Sequence, residues 1–119
     1  MNHASRFAKL SADAKSRVRE ISPKEASEQQ AQGAVLIDVR ESDEFAQGHA
    51  KGAVHLSKGI LELRIEEAIP DIATPIICYC GGGSRSALAA DNLQKMGYTN
   101  VASMAGGLTA WKNEGLAIA

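Results

Sequence analysis

Within six residues, Cys80-Gly81-Gly82-Gly83-Ser84-Arg85 combines a thiol, three glycines and a cation, the parts that anion chemistry at sulfur requires. The apolar run Ile76-Ile77-Cys78-Tyr79 before it reads as a buried strand, so Cys80 falls at the strand's end. Glycine permits positive φ and close backbone approach, so the amides of Gly81, Gly82, Gly83 and Ser84 can curl around an anion. A helix predicted from about residue 84 adds the partial positive charge of its N-terminus. A thiol in such a cradle loses its proton more readily than a free cysteine, and the thiolate is the nucleophilic form. Arg85 is then placed to hold an anionic substrate beside it. A strand cysteine is more commonly an inert small hydrophobe; that reading is assigned to Cys78, which has no glycine loop or cation next to it.

The elements that must position this loop are legible as an alternation. Ser22-Pro23-Lys24-Glu25 combines a capping box with proline at the first helical position, and Gly33 stops the helix predicted over 23–32. Residues 34–39 form a continuous apolar strand ending in Asp38 and Arg40. Ser42, followed by Asp43 and Glu44, is expected to cap a short helix closed by Gly48. A strand at 53–56 and a helix at 59–68 follow. After the cysteine strand, Ala89, Leu93 and Met96 share one face of a helix over 84–96 that Gly97 ends. A strand at 100–103 and a helix at 108–113 complete the chain. The fold class expected is α/β, a three-layer parallel sheet of about five strands with helices on both faces. Ligands of such sheets bind beyond the strands' carboxyl ends, which selects Asp38–Arg40 and Cys80–Arg85. Asp38 and Arg40 are expected to brace the Cys80 loop by hydrogen bonds.

The chain has 119 residues, 45% of them hydrophobic and 23% charged, with a formal net charge of -1. That length fits one core, and the charge balance exerts no general pull toward nucleic acid or anionic lipid. No apolar run approaches the roughly 20 residues of a spanning helix, and residues 1–7 lack a secretory core, so a cytoplasmic location is expected. A disulfide between Cys78 and Cys80 would strain the strand, so both are expected as free thiols.

With these residues in place, Cys80-x-x-Gly83-x-Arg85 resembles the active-site loop of rhodanese-like sulfurtransferases. Three further segments are similar to that family's motifs, in the same order: Asp38-Val39-Arg40; Gly48-His49 with Gly52-Ala53; and Gly106-Gly107-Leu108-Thr109-Ala110-Trp111. The resemblance covers about residues 20–116. It implies a persulfide cycle: the Cys80 thiolate attacks the outer sulfur of thiosulfate or a related donor, sulfite leaves, and a thiol or cyanide acceptor collects the sulfur. The amides from Gly81 to Ser86 would stabilise the persulfide anion, with neither metal nor organic cofactor. A sulfur-relay protein is a further partner that this implies; the chain itself is expected as a monomer or homodimer, with neither nucleic acid nor membrane as partner. Two departures stand out: Ala50-Lys51 where Ile-Pro is usual, and no cation in the loop before Arg85, which should weaken binding of doubly charged thiosulfate.

A cysteine phosphatase needs five residues between cysteine and arginine; here there are four, and Ser86 stands where that arginine would be. A non-catalytic or redox-sensing module of the same fold is the other alternative. A zinc site from His49, His55, Cys78 and Cys80 is rejected on the expectation that the two thiols point to opposite faces of their strand. His49 is read as structural and Trp111 as packed beneath the last helix. The domain proper is taken as 20–119. Residues 1–19 form an arm with a helix near 5–18 whose Phe7, Leu10, Ala14 and Val18 share a face and are expected to dock on the chain's own domain.

Overall fold

The computed structural model describes residues 5–119. Eleven elements alternate along it: α1 (Ser5–Lys15), β1 (Arg19–Ile21), α2 (Pro23–Ala31), β2 (Val35–Asp38), α3 (Ser42–Ala46), β3 (Val54–His55), α4 (Lys58–Ala68), β4 (Ile76–Tyr79), α5 (Ser84–Lys95), β5 (Val101–Met104) and α6 (Gly107–Asn113). The five strands form one parallel sheet in the order β1-β5-β4-β2-β3. β4, which leads to Cys80, is its middle strand. Every residue of β4 is buried, as an apolar strand covered on both faces must be.

The strand period of two divides β4 between two cores. Ile76, Cys78 and Cys80 join Leu61 and Ile65 of α4 and Ala89, Ala90 and Leu93 of α5 in one cluster. Ile77 and Tyr79 join Ala26 of α2 and Leu108 and Trp111 of α6 in the other. Cys78 and Cys80 therefore face the same side, which overturns the expectation of opposite faces; residues two apart on a strand share a face by geometry. Both are free thiols.

Local chemistry sets the boundaries. Ser22 Oγ accepts the Glu25 backbone N–H at 3.1 Å with Pro23 at the first helical position, starting α2. α5 ends in a Schellman motif: Gly97 N–H donates to Gln94 O at 3.0 Å and Tyr98 N–H to Leu93 O at 3.1 Å, with Gly97 at φ 103°. α3 differs by one residue from expectation. Glu41, not Ser42, is the cap, and its N–H donates to Glu44 Oε1 at 3.1 Å.

The fifth strand, β1, is the element the sequence reading leaves unassigned. Its three residues carry no periodicity, and only Ile21 is buried; β1 exists because it pairs with the edge of β5. The boundary drawn at 19/20 falls inside it. The arm's helix ends at Lys15 rather than 18, and residues 1–4 lie outside the described residues. α1 docks on α5 as expected, burying Ser11 and Ala14, and Val18 just beyond its end is buried as well. Leu10, however, is 57% exposed and takes no part in that face.

Candidate active site

The chain leaves β4 at Tyr79 and turns through Cys80 into α5, so the loop 80–86 lies at the carboxyl end of the middle strand. Cys80 Sγ accepts the backbone N–H of Gly83 at 3.1 Å and of Ser86 at 3.4 Å. The Ser86 hydroxyl lies 3.6 Å from the sulfur, and 2.8 Å on its other side stands the Ser103 hydroxyl of β5. Both serines are fully buried. Ser103 is positioned by register, because it pairs with Cys78 across the sheet.

These contacts decide the ionisation of the thiol. Burial alone pushes Cys80 up, but the Ser86 hydroxyl and the amides of Ser86, Gly83 and Gly82 outweigh it and leave the thiol below its ordinary value. Cys78, two residues away, has burial and no such donors. Its thiol is pushed up to about 12, by burial first and then by the neighbouring Cys80 charge.

Of the three loop glycines, only Gly83 needs to be one for its conformation: it has φ 104° and serves as the N-cap of α5. A Cβ on Gly82 would meet nothing within 4 Å, and Gly82 is exposed, so the loop opens to solvent there. Cys80 itself is only 1% exposed, at the floor of the loop. A cleft of about 430 Å³ beside His55, Ile60 and Arg64, and another of about 290 Å³ beside Arg19 and Asn100, include no residue of this loop. The second faces the strands' opposite ends.

The loop is held from behind by the last helix. Leu108 N–H donates to Cys80 O at 2.8 Å and Thr109 N–H to Gly81 O at 3.3 Å, so the first turn of α6 satisfies two loop carbonyls. Gly107 has φ 56°, and a Cβ there would run into Cys80 O and Gly81. Gly106-Gly107 was legible as a motif in the sequence; its contact with the loop's carbonyls was not. Glu44 and Ser103 are two further site residues that sequence reading missed. In the sequence Glu44 reads only as part of a helix start, and nothing in Ser103's surroundings along the chain points to Ser86.

Arg85 reaches over Gly81, with Nη2 3.4 Å from where that residue's Cβ would stand. Its fork is engaged by Glu44, Nη1 to Oε1 at 2.8 Å and Nη2 to Oε2 at 3.1 Å. The pair is about one-third exposed, 34% and 35%. Arg85 holds the Glu44 carboxyl down to about 2 against the opposing effect of burial.

Asp38 and Arg40 make their bonds elsewhere than expected. Arg40 donates to Asp38 through its backbone N–H at 2.9 Å, Nε at 3.1 Å and Nη2 at 2.8 Å, and Nη2 also reaches Gly48 O at 2.7 Å. Tyr79 donates its hydroxyl to Asp38 Oδ2 and accepts the Ala50 N–H at 3.0 Å. The bracing thus lands on Tyr79 and on the α3–β3 connection, not on residues 81–86. The physical reason is position: Asp38 pairs in register with Tyr79, below the loop. His49 stacks on Phe45 at 3.8 Å with Nδ1 at Phe45 O, and His55 stacks on the same ring at 4.6 Å with Nε2 at Arg40 O. Among the described residues no group of three or more His, Cys, Asp or Glu could hold a metal.

Fold and site together define a parallel α/β domain with a hydrogen-bonded cysteine, its thiol held below its ordinary value, at the carboxyl end of the middle strand. The model of the rhodanese-like domain matches residues 22–114. The chain is 43% identical over 93 residues to the thiosulfate sulfurtransferase GlpE of Haemophilus influenzae, covering 78% of this chain and 87% of that protein. The 30 kDa polysulfide-sulfur transferase homodimer of Wolinella succinogenes superposes with a TM-score of 0.83 at 30% identity, over 97% of this chain and 88% of that one. A protein of unknown function from Rhodopseudomonas palustris, described as a possible tyrosine phosphatase, superposes with a TM-score of 0.87 at 27% identity, over 100% and 98% of the two chains. This chain belongs to the rhodanese-like domain family.

Proposed function

We propose that this chain, a sulfurtransferase of rhodanese type, carries sulfane sulfur as a persulfide on Cys80. The observation that carries the reading is the sulfur's surroundings, two backbone N–H groups and a buried hydroxyl at the floor of a loop open at Gly82. In the first half-reaction the Cys80 thiolate attacks the outer sulfur of thiosulfate or a related small donor. The donor's S–S bond breaks, sulfite leaves with the electron pair, and a Cys80 persulfide anion remains. In the second, cyanide or a thiolate attacks that outer sulfur, and the Cys80 thiolate is regenerated. The amides that hold the thiolate also face charge on the persulfide, fixed in place before reaction. No organic cofactor or metal enters these steps. The sulfurtransferase names of the relatives support this reading.

Phosphatase chemistry is disfavoured by the loop itself, since Ser86 stands where a phosphate clamp would need arginine, and its short side chain ends in a hydroxyl 3.6 Å from the sulfur. A binding or redox-sensing module is the competing reading, motivated by the occupied Arg85 fork and the low exposure of Cys80. The location is proposed as the cytoplasm; no helix among the described residues is long and apolar enough to cross a membrane. Thiocyanate formation from thiosulfate and cyanide separates the readings. The protein turns over and Cys80→Ser does not; equal rates in both, or none in either, leave the binding-module reading standing.

A further inference from the structure

The loop contains no cation before Arg85, and Arg85 is bidentate to Glu44. Glu44 is not a loosely placed surface group. Its Oε1 also accepts the Glu41 N–H at 3.1 Å, which ties the carboxylate to the first turn of α3. The chain just past α3 is held in turn by the buried Asp38–Arg40 pair, through Arg40 Nη2 at Gly48 O. A carboxylate held this way is an intramolecular ligand of high effective concentration, which any external anion must displace to reach the same fork. The pair's one-third exposure leaves it exchangeable.

We propose that Glu44 is a specificity-determining residue that selects the sulfur donor by charge: it occupies the Arg85 fork as a built-in anion, so that dianionic donors are penalised and small donors bearing one negative charge are favoured. This rests on the sulfurtransferase reading of the Cys80 loop. A dianion such as thiosulfate needs a guanidinium partner for its second charge, and it gains one only after Glu44 has been displaced into water. A monoanionic donor needs no such partner, because the loop amides and the dipole of α5 already face one negative charge.

Glu44→Gln tests this cleanly, since glutamine can still accept the Glu41 N–H in the cap while its neutral amide releases the fork. The expected result is a fall in the KM for thiosulfate of about fivefold, the equivalent of one partly exposed ion pair, with kcat little changed. The KM for the monoanion methanethiosulfonate should hold within about twofold. An unchanged or raised KM for thiosulfate, or an equal fall for both donors, overturns the proposal; a loss in kcat with no fall in KM would instead make Glu44 a residue that positions Arg85. Calorimetry in the Cys80→Ser background keeps the test independent of turnover. Tighter thiosulfate binding by Cys80→Ser/Glu44→Gln than by Cys80→Ser supports the charge filter even where no persulfide forms. No gain in affinity, alongside a persulfide in the parent, overturns the filter and leaves the sulfurtransferase reading intact.

Discussion

Two thiols on one strand face, two residues apart, are driven in opposite directions by what surrounds them. Burial acts on both; at Cys80 it is overcome by hydrogen bonds that favour the charged form, and at Cys78 it is not. Alkylation by iodoacetamide at neutral pH should therefore modify Cys80 and spare Cys78, as read by peptide mapping. The Ser86 hydroxyl is the first of the donors that lower Cys80. Ser86→Ala should raise the midpoint of the alkylation rate against pH, because one hydrogen bond to the charged form is lost; an unmoved midpoint would assign the effect to the backbone alone. The sign is fixed, because losing a donor to the thiolate disfavours it. The Arg85–Glu44 bridge does not share that pH dependence. Its carboxyl is depressed to about 2 from an ordinary 4.5, so the bridge's contribution is complete above the ordinary carboxylate value and fades only as pH falls toward 2. Activity should rise with pH as Cys80 ionises, and Glu44→Gln should leave that rise where it is.

At the level of elements, the site is a junction of three: the end of β4, the start of α5 and the first turn of α6. Gly107 is the tightest point, with a left-handed backbone pressed against the Cys80 and Gly81 carbonyls. Gly107→Ala should cost at least about 2 kcal/mol in urea unfolding, combining a disfavoured φ with a steric overlap, and should depress persulfide formation. Gly82→Ala meets open space and should leave stability within about 0.5 kcal/mol. Equal effects of the two would contradict the arrangement described. The strand, the loop and α5 were legible in sequence because an apolar run, a glycine cluster and a helical period are local signals. The docking of α6 on the loop was not, since it joins residues 80–81 to 108–109 through backbone bonds that leave no trace in side-chain type. Glu44 was hidden differently: an acidic residue in a first helical turn already has a sufficient local explanation, and its pairing with Arg85 spans 41 residues.

At the level of the whole molecule, the arm belongs to the core structure. Arg17 donates to Asp91 of α5 from Nε at 3.1 Å and Nη2 at 2.7 Å, and Gln94 donates to Arg17 O at 3.0 Å. Asp91 is buried while Arg17 is half-exposed, so Asp91→Asn should loosen the arm and admit limited proteolysis between residues 5 and 18 while thiosulfate turnover persists. Resistance equal to the parent's would show that apolar contacts alone hold α1. Charges around a small apolar face made this docking readable in outline. The three-residue β1 that follows was not, because an edge strand so short is specified by its partner β5 rather than by its own residues. All of these parts converge on one sulfur atom, and the most direct measurement is intact mass with peptide mapping after incubation with thiosulfate under non-reducing conditions. One added sulfur atom on Cys80, absent from Cys80→Ser and unaffected by Cys78→Ala, is the result predicted. Sulfur found on Cys78, or none on either thiol in a folded protein, would contradict it.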